Sequence, residues 1–142
     1  MPVILDTNTI SLLREGEPLK SGRLVQRMRQ ISKPEIWTTV ISYQEQLKGW
    51  LAAIHRARND RQLLWAFAAL QNTLTTFSRL PVMPLDEAAL VVFHQLQSQR
   101  LKVGTNDLRI AAIALARGAT VVTQNLRDFQ RVPGLIVEDG TI

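Results

Sequence analysis

Apolar and polar residues fall in short blocks along this 142-residue chain, and the period of the blocks changes several times. Val3-Ile4-Leu5 is apolar throughout and stops at Asp6. Such a run reads as a strand buried on both faces, as in a parallel sheet. Thr9 to Arg14 reads as helical. From Leu19 to Ile31, the residues Leu24, Val25, Met28 and Ile31 recur at helical spacing, with Arg23, Arg27 and Arg29 between them. Ser32-Lys33-Pro34 ends that pattern. Ile36 to Ile41 is β-branched and aromatic, so it reads as a second strand.

Ser42 is expected to open a helix with an apolar stripe of Tyr43, Leu47, Trp50, Leu51 and Ile54. A second long helix, about Arg58 to Phe77, carries Leu63, Leu64, Phe67, Leu70 and Leu74. Leu80 to Leu85 is a short apolar segment holding Pro81 and Pro84, which suits a strand end or a sheet edge. Asp86 can cap a helix that runs to about Arg100. Thr105 or Asn106 is the expected cap of a further helix, with Leu108, Ala111, Ala112 and Leu115 on one face and Gly118 as its stop. Thr120-Val121-Val122 reads as another buried strand, and Leu135-Ile136-Val137 as the last. Strands alternating with helices predict an α/β domain with a parallel sheet and helices on both faces. The helices between Ser42 and Phe77 form an αα-hairpin inserted in that order. No repeat, low-complexity tract or linker interrupts residues 1–142, so one domain is expected.

In an open parallel sheet, ligands bind beyond the carboxyl ends of the strands, where the strand order reverses. Asp6 follows the first strand, and Thr123 and Asn125 follow the Thr120–Val122 strand. Glu45 and Asp107 lie in the first turns of their expected helices. Each has a structural reading too. Asp6 could cap the next helix. Ser42-x-x-Glu45 has the spacing of a capping box. Asp107 could complement a helix dipole, Asn125 could serve a turn, and Asp128 could be a surface charge. Taken together, crowded carboxylates repel one another, and one should have a raised pKa unless a cation joins them. Oxygen ligands without Cys or His select a hard ion, Mg²⁺ or Mn²⁺. Phosphodiester hydrolysis uses such an ion to polarise the phosphate and activate water.

Composition narrows the partners. Cysteine is absent, which excludes a disulfide framework, a thiolate metal site and a catalytic thiol. No basic leader with a long apolar run starts the chain, and no stretch nears the roughly 20 apolar residues of a membrane span. A cytoplasmic location without a membrane partner is expected. The net charge of +5 favours nucleic acid or an acidic protein. Arg14, Lys20, Arg23, Arg27, Arg29, Lys48, Arg56, Arg58 and Arg61 flank the proposed site in sequence, and some should track the phosphates of a nucleic acid.

Three stretches resemble a PIN domain, and within it the VapC-type toxins: Val3-Ile-Leu-Asp6-Thr-Asn; Thr39 through Glu45 to Gly49; and Asn106-Asp107 through Asn125-Leu-Arg-Asp128-Phe129. The resemblance spans Val3 to about Asp139. It implies a three-layer fold with a five-stranded, mostly parallel sheet, and endoribonuclease activity with Mg²⁺ or Mn²⁺. It also implies a tRNA or ribosomal RNA target, a homodimer and a cognate antitoxin that blocks the site. Carried onto this chain, Asp6 and Asp107 match the expected metal-holding acids, and Glu45 matches the middle acidic residue. Thr7, Asn8 and Thr123 fit supporting roles beside the ligands. Many PIN domains have a fourth acid where this chain has Asn125. Either Asp128 supplies part of that function or Asn125 acts through a water. The hairpin, from its apolar content, is the expected dimer contact.

Rival chemistries lack parts. There is no Gly-x-Ser-x-Gly elbow, and His55 and His94 fall in mid-helix. Phosphatases with an aspartate nucleophile usually carry a second aspartate two residues on, where this chain has Asn8. The alternative that survives is a catalytically impaired PIN-like module that binds RNA or protein, and Asn125 keeps it open.

Overall fold

The computed structural model describes residues 2–15, 18–30 and 35–141, the side chains of residues 12–21 excepted. In chain order its elements are β1 (Val3–Leu5), α1 (Thr7–Glu15), α2 (Pro18–Arg29), β2 (Ile36–Thr39), α3 (Val40–Arg56) and α4 (Asp60–Arg79). They continue with β3 (Val82–Met83), α5 (Glu87–Ser98), α6 (Thr105–Arg117), β4 (Thr120–Val122), α7 (Leu126–Phe129) and β5 (Val137–Glu138). The break expected at Ser32-Lys33-Pro34, and the side chains of Arg14 and Lys20, lie outside the described residues.

The five strands form one sheet in the order β3-β2-β1-β4-β5. Its pairings are parallel throughout, with Val3 opposite both Ile36 and Thr120. Successive residues of β1 point to opposite faces and are buried on both. Ile4 joins a core with Phe93, Ile110, Ile113, Val121 and Phe129, beneath α5 and α6. Val3 and Leu5 join Ile10, Leu24, Phe77 and Val122 on the other face. The short strand β3 takes the edge, between Pro81 and Pro84, where the lost N–H groups cost no central ladder.

Asp86 caps α5, accepting from the Ala89 N–H at 2.9 Å. Gly118 ends α6 in the left-handed region at φ 65°, which glycine adopts without strain. Two expected caps fall elsewhere. Val40 and Ile41 leave the strand and begin α3, because Thr39 is its cap and accepts from the Ser42 N–H at 3.2 Å. At α6 the cap is Gly104, without a side-chain cap bond, and the Asn106 side-chain Oδ1 accepts from Arg109 instead.

The hairpin packs the other way from its large apolar residues. On α4 the buried positions are Ala66, Ala69, Thr73 and Phe77. Leu64 is 72% exposed, Phe67 51% and Leu74 57%. Small residues let α3 and α4 approach closely, and the leucines and Phe67 are left facing outward.

The carboxyl end of the chain straps α2 to the sheet. Arg27 pairs with both oxygens of Glu138, and Gly140 sits against Leu24 and Val122. A Cβ on Gly140 would lie 2.7 Å from Leu24 Cδ1 and 3.1 Å from Val122 Cγ1. Both neighbours are buried and cannot withdraw freely. Gly140→Ala should therefore cost about 1–3 kcal/mol, the usual range for overpacking. Urea denaturation checks this; an unchanged midpoint would mean that the strap is not held against the sheet.

Candidate active site

Strand order reverses beside β1: the chain runs outward through β2 and β3, then returns to place β4 on the other flank. The carboxyl ends of β1 and β4 therefore flank the crevice where such folds bind ligands. Asp6 ends β1 and is buried, at 3% exposure. Its Oδ1 accepts from the Thr9 N–H at 2.9 Å, and its Oδ2 from the Thr123 hydroxyl at 2.5 Å. Asp6 thus caps α1, as its structural reading had it, and also faces the end of β4. The Thr9 hydroxyl donates to the Val122 carbonyl at 3.0 Å, tying the start of α1 to β4.

Glu45 stands in the second turn of α3, not the first, because the helix starts at Val40. The capping-box reading fails with that shift, since Thr39 does the capping. Glu45 Oε1 accepts from the Thr7 hydroxyl at 2.8 Å, and Thr7 Oγ1 lies 3.0 Å from Ser42 Oγ. A Cβ on Gly49 would meet nothing within 4 Å, as expected of the open space one turn along.

Asp107 is in the first turn of α6. The Asn125 side-chain amide donates to Asp107 Oδ2 at 3.3 Å and to Asp128 Oδ2 at 3.1 Å. The Asn125 backbone N–H donates to Thr123 Oγ1 at 2.8 Å. Asn125 therefore connects with Asp107 directly and with Asp6 through Thr123. Asn8 is exposed on α1, and among the described residues no hydrogen bond joins it to this group. Thr9 and Ser42 were not among the expected residues. The Asp6-x-x-Thr9 spacing is that of a helix cap, and could have pointed to Thr9.

Burial raises the pKa of Asp107, and the charges of Asp6, Glu45 and Asp128 raise it further, to about 6. The bond from Asn125 opposes this. Burial likewise raises the Asp6 pKa, against its bonds from Thr123 and Thr9. Acids from four parts of the chain thus share one field. Among the described residues no three acidic or histidine side chains close into a ready cage. The donor set nevertheless fits a hard cation. It is all oxygen and short of positive charge, and Mg²⁺ needs only one or two carboxylates while keeping several waters. Asp6 and Asp107, with Glu45 beside them, are the residues that could hold it.

Residues 3–135 match the PIN domain family. This chain belongs to that family. A PIN-domain relative, ribonuclease VapC1 of Rickettsia felis, is 27% identical over 139 residues, covering 96% of this chain and 95% of the relative. The tRNA(fMet)-specific endonuclease VapC of Salmonella typhimurium is 41% identical over 66 residues, 44% of this chain and 50% of that protein. The PIN fold here also matches the VapBC-1 structure from nontypeable Haemophilus influenzae. The TM-score is 0.78 and the identity 26%, over 100% of both chains.

The crowding of this PIN site has a stability consequence. Asp107 holds its proton more tightly folded than unfolded, where its value is 3.8. Between about pH 4 and 6 the folded state then binds more protons, so metal-free stability falls as pH rises through that window. Asp107→Asn removes the charge. In chelator at pH 7 its Tm should exceed the parent's, and the gap should close as the pH falls to about 4. A lower Tm for the variant at pH 7 would show that the carboxylates are not crowded.

Proposed function

We propose that this PIN domain is a divalent-metal-dependent endoribonuclease acting as the toxin of a toxin–antitoxin pair. What carries the proposal is the field that Asp6, Glu45 and Asp107 share at the β1/β4 reversal of a PIN fold, where the charges of Asp6 and Glu45 act on Asp107. The ribonuclease name of the full-length Rickettsia relative supports the activity. The tRNA(fMet)-specific relative supports a structured RNA, with tRNA as the class to test first.

Asp6 and Asp107 would hold Mg²⁺ or Mn²⁺, and when bound the ion would polarise the scissile phosphate and offset the charge that develops on it. The chain's own residues supply the rest. Thr123 and Thr9 fix both oxygens of Asp6, so its carboxylate is oriented before substrate arrives. Thr7 fixes one oxygen of Glu45, and Oε2 would take the proton of a water that attacks phosphorus as the P–O bond to the leaving ribose oxygen breaks and that oxygen is protonated from solvent. Asn125 orients Asp107. Lys48, Arg56, Arg58 and Arg61 are exposed along the hairpin and can meet phosphates. Arg27 is committed elsewhere, to Glu138, and is not among the residues we assign to phosphates.

Among the described residues no helix is long and apolar enough to cross a membrane, and we place the reaction in the cytoplasm. The outward face of the hairpin supports a protein partner. A groove of about 270 Å³ runs between Tyr43 and Leu47 of α3 and Phe67, Leu70 and Leu74 of α4. Exposed apolar surface of this kind marks protein contacts. We assign it to the cognate antitoxin rather than to the second copy, because Tyr43 and Leu47 flank Glu45 on one helix. A partner there bears directly on the helix that carries a site acid. A homodimer would then use another face.

Purified protein with Mn²⁺ or Mg²⁺ should cleave tRNA, and EDTA should stop it. Asp107→Asn should lower the rate at least about a hundredfold, the scale of losing a transition-state electrostatic contact. RNA binding without cleavage in either metal would favour the impaired-module reading. For the partner, Phe67→Glu with Leu74→Glu should abolish antitoxin capture and leave the molar mass in solution unchanged. A fall in mass with capture intact would give the groove to the second copy.

A further inference from the structure

We infer that Arg131 is a positioning residue for Asp107, acting through Asp128 and Asn125, and that Asn125 works as a donor between two carboxylates rather than as a fourth ligand. This rests on the metal-site reading above. The Asn125 amide nitrogen lies 3.3 Å from Asp107 Oδ2 and 3.1 Å from Asp128 Oδ2. Both partners are acceptors, so only the NH₂ group can face them. The amide carbonyl turned the other way would meet two negative oxygens. A carboxylate at position 125 would stand between two others with no proton to share.

Arg131 secures the far end of this chain of contacts. Its Nη1 donates to Asp128 Oδ1 at 3.3 Å and to the Lys102 carbonyl at 2.6 Å. Lys102 lies in the loop that launches α6, two residues before its Gly104 cap, and that cap makes no side-chain bond. One guanidinium therefore ties the segment holding Asn125 to the loop that sets the start of Asp107's helix. Both ends of the Asn125–Asp107 bond are held by the same group. Arg131 also offsets the charge of Asp128, which lets a fourth acid stand near the site without adding its full repulsion. The spacing Asp128-x-x-Arg131 is the i, i+3 relation of neighbours on a helical turn.

The test uses Mn²⁺ alone, titrated calorimetrically into the full chain, with kcat and KM for an RNA substrate measured beside it. In Arg131→Met the field effect alone would tighten Mn²⁺ binding, because a cation is lost near the site. Positioning predicts the opposite: affinity lower by about tenfold, the usual cost of losing a group that orients a ligand, with kcat lower and KM within about twofold. Unchanged or tighter Mn²⁺ binding overturns the inference. So does a raised KM with a weaker salt dependence, which would make Arg131 a phosphate contact. Asn125→Asp decides the matter independently, even where Arg131→Met fails to fold. It should bind Mn²⁺ about tenfold more weakly and cleave more slowly; tighter binding with undiminished cleavage would make position 125 a ligand and overturn the bridge. A parent chain that takes up no Mn²⁺ would sink the metal reading and this inference with it, whereas a parent that binds, with variants that match it, sinks the bridge alone.

Discussion

The constraint that organises this molecule is the burial of the Asp6 carboxylate where two central parallel strands end. A charge in that position is costly unless it is hydrogen-bonded. Thr9 and Thr123 meet that requirement from different directions: one is the first turn of α1, the other the residue after β4. Those bonds exist only when β1 and β4 are paired in register and α1 has started in the right place. Folding the sheet and assembling the site are therefore one event at this point. The Thr9 hydroxyl on the Val122 carbonyl adds a third tie across the same junction.

Around that fixed group the remaining acids are less settled. Glu45 leans on a hydroxyl, and Asp107 on one amide, with its pKa raised to about 6 by burial and then by its acidic neighbours. An arrangement of this kind spends stability to keep negative charge concentrated, and a cation entering the group relieves the repulsion it finds there. Asn125 fits the same logic. Where Asp107 and Asp128 already face each other across 125, the useful residue between them is one that donates.

Much of this could be read from residue order. Val3-Ile4-Leu5 and Thr120-Val121-Val122 are fully apolar or nearly so, and only a strand buried on both faces explains runs that short. Asp86 and Gly118 are strong local signals and sit where their chemistry puts them. The errors have a common physical source. Val40 and Ile41 look like strand because they are β-branched, but Thr39 caps a helix there, and a cap outweighs weak intrinsic preference. That single shift moved Glu45 out of the first turn and freed it from the capping box. Gly104 carries no side chain that could signal a cap, whereas its polar neighbours Thr105 and Asn106 do. The Asn125–Asp107 and Thr7–Glu45 bonds join residues far apart in the chain, and no local pattern encodes them.

The hairpin shows why a periodic apolar stripe does not by itself locate a core. On α4 the large residues Leu63, Leu64, Phe67 and Leu74 obey helical spacing, yet the face turned inward is Ala66, Ala69, Thr73 and Phe77. Within one chain the small face is the better packing surface, because it lets two long helices lie close. The large face is then free, and an exposed apolar face of this kind is the sort that marks a protein contact. Because α3 carries Glu45 and also lends Tyr43 and Leu47 to the groove, the acid and the groove share one helix. A partner seated in the groove would bear on the helix that holds Glu45, two positions in sequence from Tyr43 and from Leu47.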